Sequence, residues 1–184
     1  MFPKYNRIYL IVSIAVVILC GMMFPILSYP IDYRIVLTIL LTLGETVVFW
    51  AIILAFVNLV LHFDRKRRGY QYKEFGMVCG FSFVPLLFYN ILIPLLNKLK
   101  SDKLSYAWDI NLIRYITSTD EFQILFFLSK LTTVLCVFFF FFLLSFGIRD
   151  SFKLELIKAI YLAIFVVIVA YLLSNWLFNI WELF

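Results

Sequence analysis

The chain has 184 residues, of which 65% are hydrophobic, 20% aromatic and only 15% charged, and its mean hydropathy is +1.02. Soluble domains hold about half apolar and about a quarter charged residues, so this composition excludes one and points to an all-α, polytopic integral membrane protein. The formal charge of +5 would suggest nucleic acid in a soluble chain, but here the basic residues crowd into short loops that set membrane orientation, and no nucleic-acid partner is expected.

After a polar lead, Met1 to Arg7, the run from about residue 8 to 29 carries no charge and is long enough to span about 30 Å of hydrocarbon. A cleaved signal peptide would be shorter and would end in an A-x-A-like site, so this run is read as a retained first span. Pro25 is expected to kink it near Phe24, and Pro30 to stop the helix before Asp32. A short link then leads into a second apolar run, residues 35 to 63, interrupted only by Glu45. It is longer than a perpendicular helix needs, which implies tilt or projection beyond the bilayer.

The loop that follows holds the dense basic cluster Arg65, Lys66, Arg67 and Arg68. The third run, residues 75 to 97, contains Gly76, Gly80, Pro85 and Pro94. At helical spacing Gly76, Gly80, Phe83, Leu87 and Asn90 share one face, bent partway by Pro85. Gly76 and Gly80, one turn apart, would let another helix backbone approach closely, from this chain or from another subunit. Ser82 is placed to satisfy a backbone group that Pro85 frees, and an interrupted helix is also a form that transporter sites take.

Between residues 98 and 120, Trp108, Leu112, Tyr115 and Ile116 follow the spacing of a short interfacial helix. Ser118 and Glu121 fit a capping box, so the fourth span should start near Thr119. It runs to about residue 148 through five consecutive phenylalanines, Phe138 to Phe142, a stretch with no polar face. A short basic link, in which Ser151 is a candidate cap, leads to the fifth span, residues 154 to 181, with Trp176 and Trp181 at its interfacial end.

These five spans make residues 1–184 one membrane domain. With the amino terminus inside, that side carries Lys4, Arg7, Arg65, Lys66, Arg67, Arg68, Lys73, Arg149, Lys153 and Lys158. The other side carries Arg34, Lys98, Lys100, Lys103 and Arg114. The positive-inside rule therefore puts the amino terminus in the cytoplasm and the carboxyl terminus outside.

Ionisable residues within a span are functional candidates because lipid makes them costly, and here they are Glu45 and Lys130. Each lies roughly ten residues from the same membrane face, hence at similar depth. They are expected to form an ion pair that fixes helix arrangement if the second and fourth spans are neighbours. The other readings are a snorkelling Lys130 with Glu45 protonated or facing a polar cavity, and a proton or ion path. Asn90 adds an intramembrane polar group on the glycine face. His62 and Asn58 lie a turn apart at the end of the second span, where a histidine is read as interfacial. The cluster Arg65 to Arg68 determines topology, attracts anionic inner-leaflet lipids and could dock an acidic cytoplasmic partner. Cys20, Cys79 and Cys136 lie inside apolar runs, and with a single histidine and no CxxC they suit neither a disulfide framework nor a zinc site. No Walker, GxSxG, HExxH or paired-carboxylate signature appears, so no enzyme and no cofactor is expected.

The layout resembles the Yip1 family: five spans, a charged second loop, and a third span opening on glycine, aromatic, serine and then proline, here Gly80-Phe81-Ser82-Phe83-Val84-Pro85. The link Gly147-Ile148-Arg149-Asp150-Ser151-Phe152-Lys153 through Lys158-Ala159 is similar to the family's link into its final helix. The DLYGP-like segment that precedes the first span in eukaryotic members is not found in Met1 to Arg7, so a trafficking role with Rab-type GTPases is not expected. The resemblance implies a bacterial, inner-membrane, non-catalytic protein, and some such members accompany ABC-type exporters as accessory subunits. The functional expectation is an accessory or scaffold subunit of a larger membrane complex, bound to other membrane subunits. The alternative is a transport subunit whose path runs near Pro85, Asn90, Glu45 and Lys130.

Overall fold

The computed structural model describes residues 7–29, 33–62, 72–105 and 116–181. Among these residues six helices follow in order: α1 (Arg7–Ser28), α2 (Tyr33–His62), α3 (Tyr72–Ser82), α4 (Val84–Ser105), α5 (Asp120–Phe152) and α6 (Leu156–Trp181). With α3 and α4 taken together, they supply 5 stretches long and apolar enough to cross a membrane. The protein is thus all-helical with five spans, and no strand occurs among the described residues.

Local chemistry sets the helix ends. Pro25 lies inside α1, which continues to Ser28. At the start of α5 the N-cap is Thr119 rather than Ser118, and its hydroxyl donates to the Ile116 carbonyl at 2.6 Å instead of capping the helix. The Gln123 side chain reaches back to the Thr117 carbonyl at 2.7 Å. At its other end α5 runs about one turn beyond the expected stop at Ile148. Lys153 turns left-handed (φ 51°), and its N–H and that of Leu154 both meet the Arg149 carbonyl. Ser151 therefore belongs to the last turn of α5 and does not cap α6. Glu155 precedes α6, its carbonyl accepting from Ala159 N–H at 3.0 Å.

The largest departure from expectation lies in the third span. It is broken at Phe83 into two helices, where a single bent one was expected. The amino-terminal half, α3, sits at the centre, packed against α1, α2 and α5 as well as α4. α1 lies against α2 and α4, α5 against α4 and α6, and α2 closes the arrangement against α6. The shared core draws on Val17 and Cys20 of α1, Ile53 and Val57 of α2, and Phe75, Cys79 and Phe83. From α5 come Phe140, Leu144 and Ile148, and from α6 the small residues Ala159, Ala163 and Ala170. Those alanines recur at helical spacing, which lets α6 come close to its neighbours in a medium where apolar burial alone gives helices no reason to associate. Of the phenylalanine run, Phe140 points inward while Phe138, Phe139 and Phe142 face outward, as a lipid-facing helix permits.

Candidate functional site

The third span is interrupted two residues before Pro85. Pro85 has no N–H, so one turn back a carbonyl is left without its helical donor. Around it the bonds shift: Phe83 N–H turns to the Gly80 carbonyl at 3.1 Å, a tighter pairing than the α-helix makes. The Cys79 carbonyl, which Phe83 would otherwise have met, takes the Ser82 hydroxyl at 2.6 Å. Leu87 N–H then meets the Phe83 carbonyl at 2.9 Å and the helix resumes. Ser82 is fully buried, so its hydroxyl closes a backbone defect that water cannot reach.

The face carrying Gly80 and Asn90 packs against α1 of the same chain. A Cβ placed on Gly80 would lie 2.6 Å from Ser13 Cβ and 2.9 Å from the Ser13 carbonyl, so only glycine allows this approach. Ser13 turns its own hydroxyl to the Leu10 carbonyl at 2.8 Å. Further along, Asn90 Nδ2 donates to the Cys20 carbonyl at 2.7 Å, with Cys20 Sγ at 3.3 Å. Gly76 behaves differently: a Cβ there would meet nothing within 4 Å among the described residues. The two glycines do not act as one packing motif, since the close approach is made at Gly80.

A matching device sits on the opposite side of α1. Pro25 frees the Gly21 carbonyl one turn earlier, and Thr42 Oγ1 of α2 donates to it at 2.8 Å. The backbones are close there too, since a Cβ on Gly21 would fall 2.8 Å from Leu43 Cα. Adjacent carbonyls of α1, at Cys20 and Gly21, are thus held by α4 and α2 respectively. Such bonds contribute about 0.6 kcal/mol each between membrane helices, enough to fix relative position without dominating stability. Thr42 and Gly21 were not singled out from sequence, although a proline one turn after a glycine was a usable signal for both.

Around the break the packing is aromatic. Phe83 is 1% exposed and lies edge-on to Phe49 (centroids 6.1 Å apart) and Phe140 (5.5 Å). Phe75 tilts against Phe152 at 5.2 Å. On the α5 side, Gly147 meets Val78 where a side chain would collide.

Glu45 and Lys130 are not brought together. They sit on α2 and α5, whose principal neighbours are other helices. The Lys130 ammonium lies 4.4 Å from the centroid of Phe126, one turn away on its own helix, which is the local cation–π solution available to a lipid-exposed lysine. Glu45 lies on the exposed side of α2. A different lysine makes the interhelical tie: Lys100 Nζ of α4 donates to Ser129 Oγ of α5 at 2.8 Å. On α2, the buried indole nitrogen of Trp50 faces the Cys79 thiol, and the buried side-chain oxygen of Asn58 has no hydrogen-bond partner among the described residues. The three cysteines are free and buried. Among the described residues no group of His, Cys, Asp and Glu could hold a metal ion. Arg65, Lys66, Arg67, Arg68 and the Trp108–Tyr115 segment lie outside the described residues.

An interrupted third span at the centre of five, clasped to the first by glycine and asparagine, defines a polytopic helical membrane protein. A family model described as the Yip1 domain matches residues 3–177, and the chain belongs to that family. Neither the comparison with curated proteins nor that with solved structures finds a match.

Proposed function

We propose that this chain, a single membrane domain, is a non-catalytic accessory or scaffold subunit of a larger complex in the bacterial cytoplasmic membrane. A natural partner class is an ABC-type exporter. The observation that carries this reading is how the polar side chains within the spans are used. Ser82, Asn90, Thr42 and Thr46 each donate to a backbone carbonyl, that of Cys79, Cys20, Gly21 and Thr42 respectively. Those of Asn90 and Thr42 tie α4 and α2 to α1, while those of Ser82 and Thr46 are spent inside their own helices; a conducting path needs polar groups left free for a solute. The family match adds to the reading, as do lipid-exposed helix faces on which another subunit could pack.

Orientation is part of the proposal: amino terminus and the Arg65 to Arg68 loop in the cytoplasm, where each basic residue attracts anionic lipid by about 1 kcal/mol. An alkaline-phosphatase reporter fused after Phe184 is then active, and an inactive fusion overturns the topology. Purification from native membranes in mild detergent, with mass spectrometry, recovers a stoichiometric membrane partner; a monodisperse single species overturns the scaffold reading. One observation favours a transport subunit instead, namely the break in the helix at Phe83. That reading predicts solute flux in liposomes that Glu45→Gln abolishes.

A further inference from the structure

Between α5 and α6 lies a groove of about 510 Å³ facing the bilayer. Phe138, Phe142 and Phe146 wall it on one side and Ile160 and Ile164 on the other, with Ser145 as the polar residue of its lining. The phenylalanine rings form a ladder, with centroids 6.2 Å apart from Phe138 to Phe142 and 4.5 Å from Phe142 to Phe146. At the end of the ladder stands Arg149, its guanidinium carbon 4.8 Å from the Phe146 centroid. Among the described residues its Nε is engaged by Asp150, at 3.0 Å, and the exposed Lys153 follows at the turn. The positive amino-terminal end of α6, at Leu156, also borders the groove.

The walls select the occupant. From Phe138 to Phe146 α5 rises about 12 Å, so the groove runs lengthwise along the helix toward Arg149. Its walls are bulky, whereas helices that associate in lipid do so across small residues. A hydrocarbon chain suits such walls better than a helix does, and the charge at one end calls for an anion.

We propose that this groove is a specific site for an anionic phospholipid, with one acyl chain along the phenylalanine ladder and the phosphate at Arg149. The site is independent of whether the chain serves as an accessory subunit. Native mass spectrometry of the full-length protein, with phosphatidylglycerol and phosphatidylcholine of identical acyl chains, tests it. Phosphatidylglycerol binds more tightly to the wild type, and Arg149→Gln lowers its affinity roughly fivefold, to near the phosphatidylcholine value. Ile160→Trp, which fills the groove, reduces the occupancy of both lipids. Unchanged lipid selectivity in Arg149→Gln, or unchanged occupancy in Ile160→Trp, overturns the proposal. So does a second protein chain that Ile160→Trp displaces while lipid binding persists. A second measurement keeps the groove variants out of the test: tryptophan reporters at the lipid-exposed positions Ile168, just beyond the groove, and Val36 on α2. Brominated phosphatidylglycerol quenches Ile168→Trp more than brominated phosphatidylcholine does, whereas Val36→Trp responds equally to both. Equal headgroup response at both positions overturns the site.

Discussion

The two halves of the third span are continuous in sequence and opposite in surroundings. Every residue of α3 from Phe75 to Gly80 is buried, whereas α4 turns Phe88, Leu92, Leu95 and Leu99 to the bilayer, Phe88 being 57% exposed. Hydrophobicity cannot account for the difference, because lipid is as apolar as a protein interior. Residue size can. α3 carries Gly76, Cys79, Gly80 and Ser82, which let helix backbones come near, while α4 between Pro85 and Pro94 offers only bulky residues and Asn90. In a membrane, small residues mark where helix backbones come close.

That contrast can be broken most directly at Gly80. Gly80→Leu forces α3 from the α1 backbone at Ser13 and is expected to cost about 3 kcal/mol, read as a lowered unfolding midpoint or loss of the monodisperse peak in mild detergent. Gly76→Ala, with open space among the described residues, leaves that midpoint within about 0.5 kcal/mol of wild type. Next in size is the aromatic pair. Phe83→Ala removes the ring shared by Phe49 and Phe140 and costs about 2 kcal/mol through the cavity it leaves, whereas lipid fills the space left by Phe88→Ala and stability is held. If the two substitutions cost the same, the protein-buried and lipid-facing assignment of α3 and α4 fails.

Smaller effects sharpen how α1 is clasped. Asn90→Leu and Thr42→Val each lose one interhelical bond and should each lower stability by about 0.6 kcal/mol. Their double mutant measures whether the clasp at Cys20 and Gly21 acts as a unit: additivity within about 0.3 kcal/mol means independent contacts. Smallest of all, Lys130→Gln and Glu45→Gln are each expected to shift stability by less than about 0.5 kcal/mol, because neither residue is paired with the other. A large loss in both singles, recovered by exchanging the two residues, would restore the ion pair that the helix arrangement argues against.

Much of the site was legible from residue type and spacing. Gly80, Ser82, Pro85 and Asn90 could be picked out because each marks a departure from the plain apolar helix, although Ser82 takes the Cys79 carbonyl rather than that of Phe81, the one Pro85 frees. Gly76 and the Glu45–Lys130 pair misled for one reason: spacing along a helix says which residues share a face, but not what that face meets. Thr42 and Ser13 were passed over, and Gly147 was read only as part of a link, because their roles depend wholly on a partner helix.

The sequence by itself determined that this is a helical membrane protein, that it crosses five times, and which family it resembles. Those properties rest on the length and polarity of local segments, which the bilayer's thickness and the cost of unsatisfied backbone groups translate directly into helices. Only the tertiary structure decided that α3 is central, that the break at Phe83 is sealed from within, and that the carbonyls beside Pro25 are held by two other helices. Such choices are made by contacts of a few tenths of a kcal/mol to a few kcal/mol between faces that are equally apolar, and no one-dimensional pattern distinguishes a neighbour's backbone from lipid.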